Sequence, residues 1–160
     1  MKTLKIYFAV IFLFIFAQVK AQENTEKTTN SIETLLHSKN FEFLANTAIP
    51  MSGGTKSLSG SNYSITFTPE MIVSNMPFYG RAYSGMALGR DKGMRFKGKP
   101  ENFTITTTEK GFEINAEVKG ENDTYFISIT TGNSRFATLS ISSSDRGTIS
   151  YQGEIIGNKQ

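Results

Sequence analysis

General acid–base and nucleophilic chemistry in this chain must come from one histidine, scattered carboxylates and hydroxyls, because cysteine is absent. His37 follows Leu36 near the end of a short helical pattern, and no G-x-S-x-G nucleophile elbow occurs anywhere. It reads as a partly exposed histidine beside the negative end of a helix dipole. Glu113 and Glu117 stand four residues apart, yet they alternate with Phe112, Ile114, Ala116 and Val118. Glycosidase chemistry needs an acid and a base held in different environments across a cleft. A strand with that alternation instead turns both carboxylates to solvent, interleaved with Asn115 and Lys119. Glu121 and Asp123 lack the Asp-x-Asp-x-Asp-Gly spacing of a calcium loop and read as a polar turn. Without cysteine there is no disulfide scaffold, thiol nucleophile, Cys-ligated zinc or lipidated N-terminal cysteine. No catalytic residue, metal site or cofactor is expected.

A different chemistry gathers between Met76 and Gly93, in MPFYGRAYSGMALGRDKG. Its glycines and proline prevent any sustained regular element, while Phe78, Tyr79 and Tyr83 give it aromatic weight. Long irregular loops in small domains usually carry function. Phe78, Tyr79, Arg81, Tyr83 and Arg90 are therefore the candidate ligand- or partner-binding residues. Arginine presents a planar fork to carboxylate or phosphate. Buried under the loop, Arg81 would instead need scaffold acceptors, which is the favoured expectation for that residue. Gly80, Gly85, Gly89 and Gly93 match neither phosphate-cradling glycine spacing. Residues 81–99 hold six basic side chains against Asp91, and residues 101–123 hold six acids against Lys110 and Lys119. Pairing of the two segments across the sheet is the expected outlet for that asymmetry.

The elements that must position this loop are mostly strands. Ile32, Leu35 and Leu36 share one helical face, predicting a helix over 28–38 that packs on a sheet. From Phe41 onward the hydrophobic period is two, with Leu44 breaking the alternation. Alternating runs begin at Phe41, Tyr63, Phe103, Phe112, Tyr125, Ala137 and Ile149. Short Gly/Asn turns after residue 108 imply an up-and-down meander over 102–157, preceded by two or three strands. The expected fold is mainly β: one curved antiparallel sheet or open barrel of about eight strands, with the helix packed on it. Phe103, Phe112, Tyr125, Phe126, Phe136 and Tyr151 are expected to fill its interior.

Residues 1–21 open with Lys2 and Lys5, continue as an apolar run from Ile6 to Ala17, and end at Ala21. These are the parts of a cleaved secretory signal peptide, and the run is too short to span a bilayer. Cleavage removes Lys2, Lys5 and Lys20 and no acid, leaving 14 basic residues against the chain's 14 acidic ones. The basic pI thus carries no argument for nucleic acid. A polar lead-in over 22–30 and a single β-rich domain over 31–157 complete the organisation. The expected setting is periplasmic or secreted, with no stable membrane anchor after cleavage.

Several stretches also carry a resemblance. FEFLANTAIP over 41–50, Leu58 with Tyr63-Ser64-Ile65, MPFYGRAY over 76–83 and RGTISYQGEI over 146–155 together resemble the domain-of-unknown-function 4251 family. Pro77 to Arg81 looks like that family's proline-aromatic-aromatic-glycine-arginine signature, with Met76 where leucine is more usual. The resemblance implies an exported protein of Bacteroidetes-type bacteria and a domain over about 31–157. It implies no activity, substrate or cofactor. The leading functional expectation is a non-enzymatic module using loop 76–93 to bind an unknown protein or a small anionic or apolar ligand. A small barrel enclosing a hydrophobic ligand is the alternative, and a hydrolase is the third reading.

Overall fold

The computed structural model describes residues 32–80, 83, 93–120 and 123–158. The expected signal peptide, the lead-in and the first residues of the expected helix lie outside them. What remains of that helix, α1, spans 32–37. Ile32 and Leu36 are fully buried and Leu35 packs against the core, so the apolar stripe docks as its spacing predicts. Lys39 ends the helix with φ of 52°. Ser38 Oγ supports the stop, donating to the Leu35 carbonyl at 2.6 Å and accepting from the Asn40 amide at 3.1 Å.

The period-two segments form strands β1 (Phe41–Pro50), β2 (Lys56–Ser57), β3 (Ser64–Phe67), β4 (Ile72–Met76) and β5 (Met94–Gly98). They continue as β6 (Pro100–Thr108), β7 (Gly111–Lys119), β8 (Thr124–Thr131), β9 (Phe136–Ser143) and β10 (Ile149–Gly157). The sheet order is β5-β4-β3-β1-β10-β9-β8-β7-β6, antiparallel throughout, with β2 added to β1. The expected meander is β6 to β10. β4 and β5, which flank the irregular segment, are additional to the strands expected there.

Pairing of β1 with β10 joins the two halves and curls the sheet into a nearly closed barrel. The end strand β5 packs against β7 and β8 with no ladder to the other end strand, β6. Phe96 of β5 stacks on Tyr125 of β8 with ring centroids 4.0 Å apart. A side-chain carbon at Gly98 would fall 2.6 Å from Val118 Cγ1 of β7. The interior is filled by fully buried Phe41, Phe43, Phe67, Ile114, Ile129 and Tyr151, among others. Phe41 and Phe67 stack at 4.6 Å, and Phe103 meets Phe67 edge-on at 6.4 Å.

The break that Leu44 makes in the alternation has a structural counterpart two residues later. β1 turns Phe41, Phe43 and Ala45 inward, then Ala48 and Pro50. The parity change falls at a register shift between Ala45 and Thr47, where an extra residue bends the strand. Opposite the bend, Gly153 lets β10 approach the Leu44 carbonyl so closely that any side chain there would collide with it.

Two expectations about side-chain placement fail. Phe126 is 48 % exposed and Phe136 67 % exposed, so neither fills the interior. Tyr125, Ile127 and Ile129 are the inward set of β8, and Ala137, Leu139 and Ile141 that of β9, leaving both phenylalanines on the opposite face. Among the described residues, the basic strand β5 also does not ladder with the acidic strands β6 and β7, because its ladder partner is β4. The β4–β5 register opposes Arg95 to Asn75 and Lys97 to Val73. The acidic strands resolve part of their charge locally, through Lys119 Nζ and Glu101 Oε2 at 2.9 Å.

Candidate functional site

The start and end of segment 77–93 are held by β10 and the turn before it. β4 carries the chain inward to buried Met76, and Pro77 is buried behind it. Tyr151, an inward residue of β10, donates its hydroxyl to the Pro77 carbonyl at 2.6 Å. Burial pushes the Tyr151 phenol far above its ordinary range; the neighbouring Tyr79 adds to the shift and Arg146 opposes it. At neutral pH it is therefore a protonated donor to the Pro77 carbonyl.

Phe78 and Tyr79 are half-buried and pack against the core, each with a cation over its ring. The Arg146 guanidinium lies 5.6 Å from the Phe78 ring centre, and Lys56 Nζ lies 5.3 Å from that of Tyr79. Arg146 also donates through Nη1 to the carbonyl of Gly93, immediately before β5. One arginine of the β9–β10 turn thus touches both the beginning and the end of the segment.

That turn is itself ordered by Ser143. Its Oγ accepts from the Asp145 and Arg146 amides at 3.3 and 3.0 Å, and its backbone amide donates to the Arg146 carbonyl. Tyr83 joins the turn from the other side, its amide donating to the Asp145 carbonyl at 2.8 Å. Its side chain is 74 % exposed. Close by, the Tyr125 phenol is pushed upward, first by burial and then by the Asp123 and Asp145 carboxylates, against the pull of Arg146.

Of the five residues proposed from the sequence, Phe78, Tyr79 and Tyr83 thus lie along one path at the barrel's end. Phe78 and Tyr79 anchor it, and Tyr83 faces solvent. Arg81 and Arg90 lie outside the described residues. Arg146, which links the ends, was not singled out: its sequence neighbours are ordinary turn residues, and its value depends on contacts with residues 93 and 78.

The other chemistry weighed from the sequence takes up solvent-facing positions. His37 is exposed at the end of α1. Glu113 and Glu117 lie on the outer face, accepting from Asn115 Nδ2 at 3.0 Å and from Asn102 Nδ2 at 3.1 Å. Every described Asp and Glu keeps some exposure. Among the described residues, no three His, Cys, Asp or Glu side chains are grouped to hold a metal ion. No described helix is long and apolar enough to cross a membrane.

Comparison with known proteins gives a consistent fold-level result. The family model for a domain of unknown function, DUF4251, matches residues 22–155. The fold is similar to the crystal structure of a DUF4251 family protein from Bacteroides eggerthii, with TM-score 0.63 and 16 % sequence identity. That similarity covers 81 % of this chain and 87 % of the other. No curated protein matches.

Proposed function

From the premise that this chain belongs to the DUF4251 family, we propose that it is a non-enzymatic binding module of the bacterial envelope, acting through segment 76–93. The observation that carries this reading is the combination of tethered ends with an exposed ring. Tyr151 and Arg146 hold Pro77 and Gly93, and the Tyr83 backbone is bonded to Asp145, yet its ring is 74 % exposed. The backbone at Pro77, Tyr83 and Gly93 is fixed before any partner arrives, and groups already held do not add to the ordering cost of association, about 0.5–1.5 kcal/mol per immobilised side chain. Tyrosine then contributes a rigid surface, apolar along its ring and polar at its tip. Arg90 enters the proposal as a cationic contact to carboxylate or phosphate groups of the ligand or partner, with Arg81 kept to the scaffold role expected from the sequence.

Export is the second part of the proposal, supported by the basic start, apolar run and small-residue end of residues 1–21. The barrel interior is a less favoured binding place, since Phe41, Phe43, Phe67 and Tyr151 fill it.

Site-specific photo-crosslinking in native host cells tests the reading. A benzophenone side chain at position 83 should yield defined adducts in the envelope fraction. The same group at Val73, exposed on β4, should not. Equal yields at the two positions, or recovery of the protein in the cytoplasmic fraction, would defeat the proposal. Tyr83→Ala should change unfolding stability by less than about 0.5 kcal/mol, as for an exposed side chain.

A further inference from the structure

The outer face of β7 to β10 carries a second, separate arrangement. In register across the sheet, Asn115 opposes Ser128, Ser128 opposes Ser140, and Ser140 opposes Ser150. One rung along, Thr130, Thr138 and Gln152 are opposed in turn, and Gln152 meets Thr47 of β1. These side chains point away from the core, because their neighbours Ile129, Leu139 and Tyr151 are the buried set. From Phe126 to Thr130 and from Phe136 to Ser142, every outward position is a hydroxyl or a phenyl.

The two phenyl rings stand at opposite ends of this polar field. Phe126 opposes Ser142, whereas Phe136 begins β9. Six residues of strand separate those positions, about 20 Å at ~3.4 Å per residue. Two grooves indent this face. A groove of about 540 Å³ borders Phe136, Thr130, Thr138 and Gln152, and one of about 300 Å³ borders Phe126, Ser128 and Ser140. Ser128 and Thr130 are outward neighbours on β8, as Thr138 and Ser140 are on β9, so the grooves abut. Among the residues lining them, the only charges are Lys110 in the first and Glu117 in the second.

We propose that this face binds a segment of neutral polysaccharide lying along β8 and β9 between Phe126 and Phe136. A hydroxyl can donate and accept at once, and an amide offers both functions on adjacent atoms, which matches the mixed hydrogen-bonding capacity of a sugar. The C–H face of a pyranose ring is apolar and flat, suited to an exposed phenyl. Glu113 and Glu117 on β7 and Glu154 opposite Phe136 flank the field and repel a polyanion, while the outward positions of β8 and β9 between the two rings carry no carboxylate to hold a polycation. An added peptide strand is disfavoured because β8 and β9 are already paired on both sides. The proposal does not depend on the reading of segment 76–93.

Affinity electrophoresis of the purified protein tests it, in native gels containing laminarin, xylan, galactomannan or dextran. Parallel gels contain polygalacturonate as a polyanion or reduced casein as an extended polypeptide. At least one neutral polysaccharide should retard the parent and Val73→Ala alike. Combining Phe126→Ala with Phe136→Ala should raise the apparent Kd at least tenfold without moving the thermal melt. Thr138→Arg, which puts a charged side chain into the middle of the field, should do the same and serves should the double variant fold poorly. The proposal is overturned by retardation in none of the neutral gels, or in polygalacturonate alone. Retardation by casein with the same variant dependence overturns it in favour of a peptide. Neutral retardation that survives both sets of substitutions also overturns it.

Discussion

Replacing Tyr151 with phenylalanine removes one oxygen atom and leaves the ring in its fully buried site. At neutral pH the effect should be destabilising, because the Pro77 carbonyl loses its 2.6 Å donor. A buried acceptor left without a partner costs about 1–3 kcal/mol. The same oxygen makes the parent sensitive to alkali. Burial raises the folded-state pKa of this phenol well above the ordinary value of 10.0. Above that pH the unfolded chain releases the Tyr151 proton while the folded chain retains it, so stability falls as pH rises. Linkage gives a loss of a few tenths of a kcal/mol at pH 10, growing to about 1 kcal/mol at pH 11, from this one group. The variant cannot lose that increment. Urea unfolding followed by circular dichroism at pH 7, 10 and 11 should therefore show the parent's advantage shrinking by about 1 kcal/mol across the series. Groups common to both proteins cancel in the difference. An advantage that stays constant from pH 7 to 11 would refute the assignment of Tyr151 as a buried neutral donor. A variant more stable than the parent at pH 7 would refute the cost assigned to the Pro77 carbonyl.

Two further predictions probe the scaffold around the site. Arg146→Met should cost about 1.5–3 kcal/mol in urea unfolding, from the Gly93 carbonyl left without its charged donor and the lost contact with the Phe78 ring; a loss below about 0.5 kcal/mol would mean that the segment's ends are held by other groups. Gly153→Ala should cost about 3 kcal/mol or more, because its methyl would run into the Leu44 backbone and the Phe43 ring, neither of which can swing aside; a melt within 2 °C of the parent would contradict that close approach.

Much of the frame was legible in the residues themselves. Alternation at Phe112–Val118, Tyr125–Ile129 and Ala137–Ile141 identifies strands because it matches the pleat, and the short turns between them permit only antiparallel neighbours. Ile32 and Leu36 declare a buried helical face by their spacing alone. The composition of 76–93 marks it as irregular and aromatic. These properties are local, set by backbone geometry within a few residues.

Tertiary structure decided the matters that depend on residues distant in sequence. Closure of the sheet rests on β1 meeting β10 and on Phe96 stacking against Tyr125, contacts that no local pattern encodes. The bend at Asn46 that reverses the parity of β1 lies beside the close approach of Gly153 on β10 to the Leu44 carbonyl. Aromatic bulk alone assigns Phe126 and Phe136 to the core, whereas the parity of β8 and β9 puts both outside. Arg146 acquires its role by reaching residues 53 and 68 positions away. A strand's inward and outward faces follow from its own sequence, whereas which distant groups share a site depends on how the sheet closes.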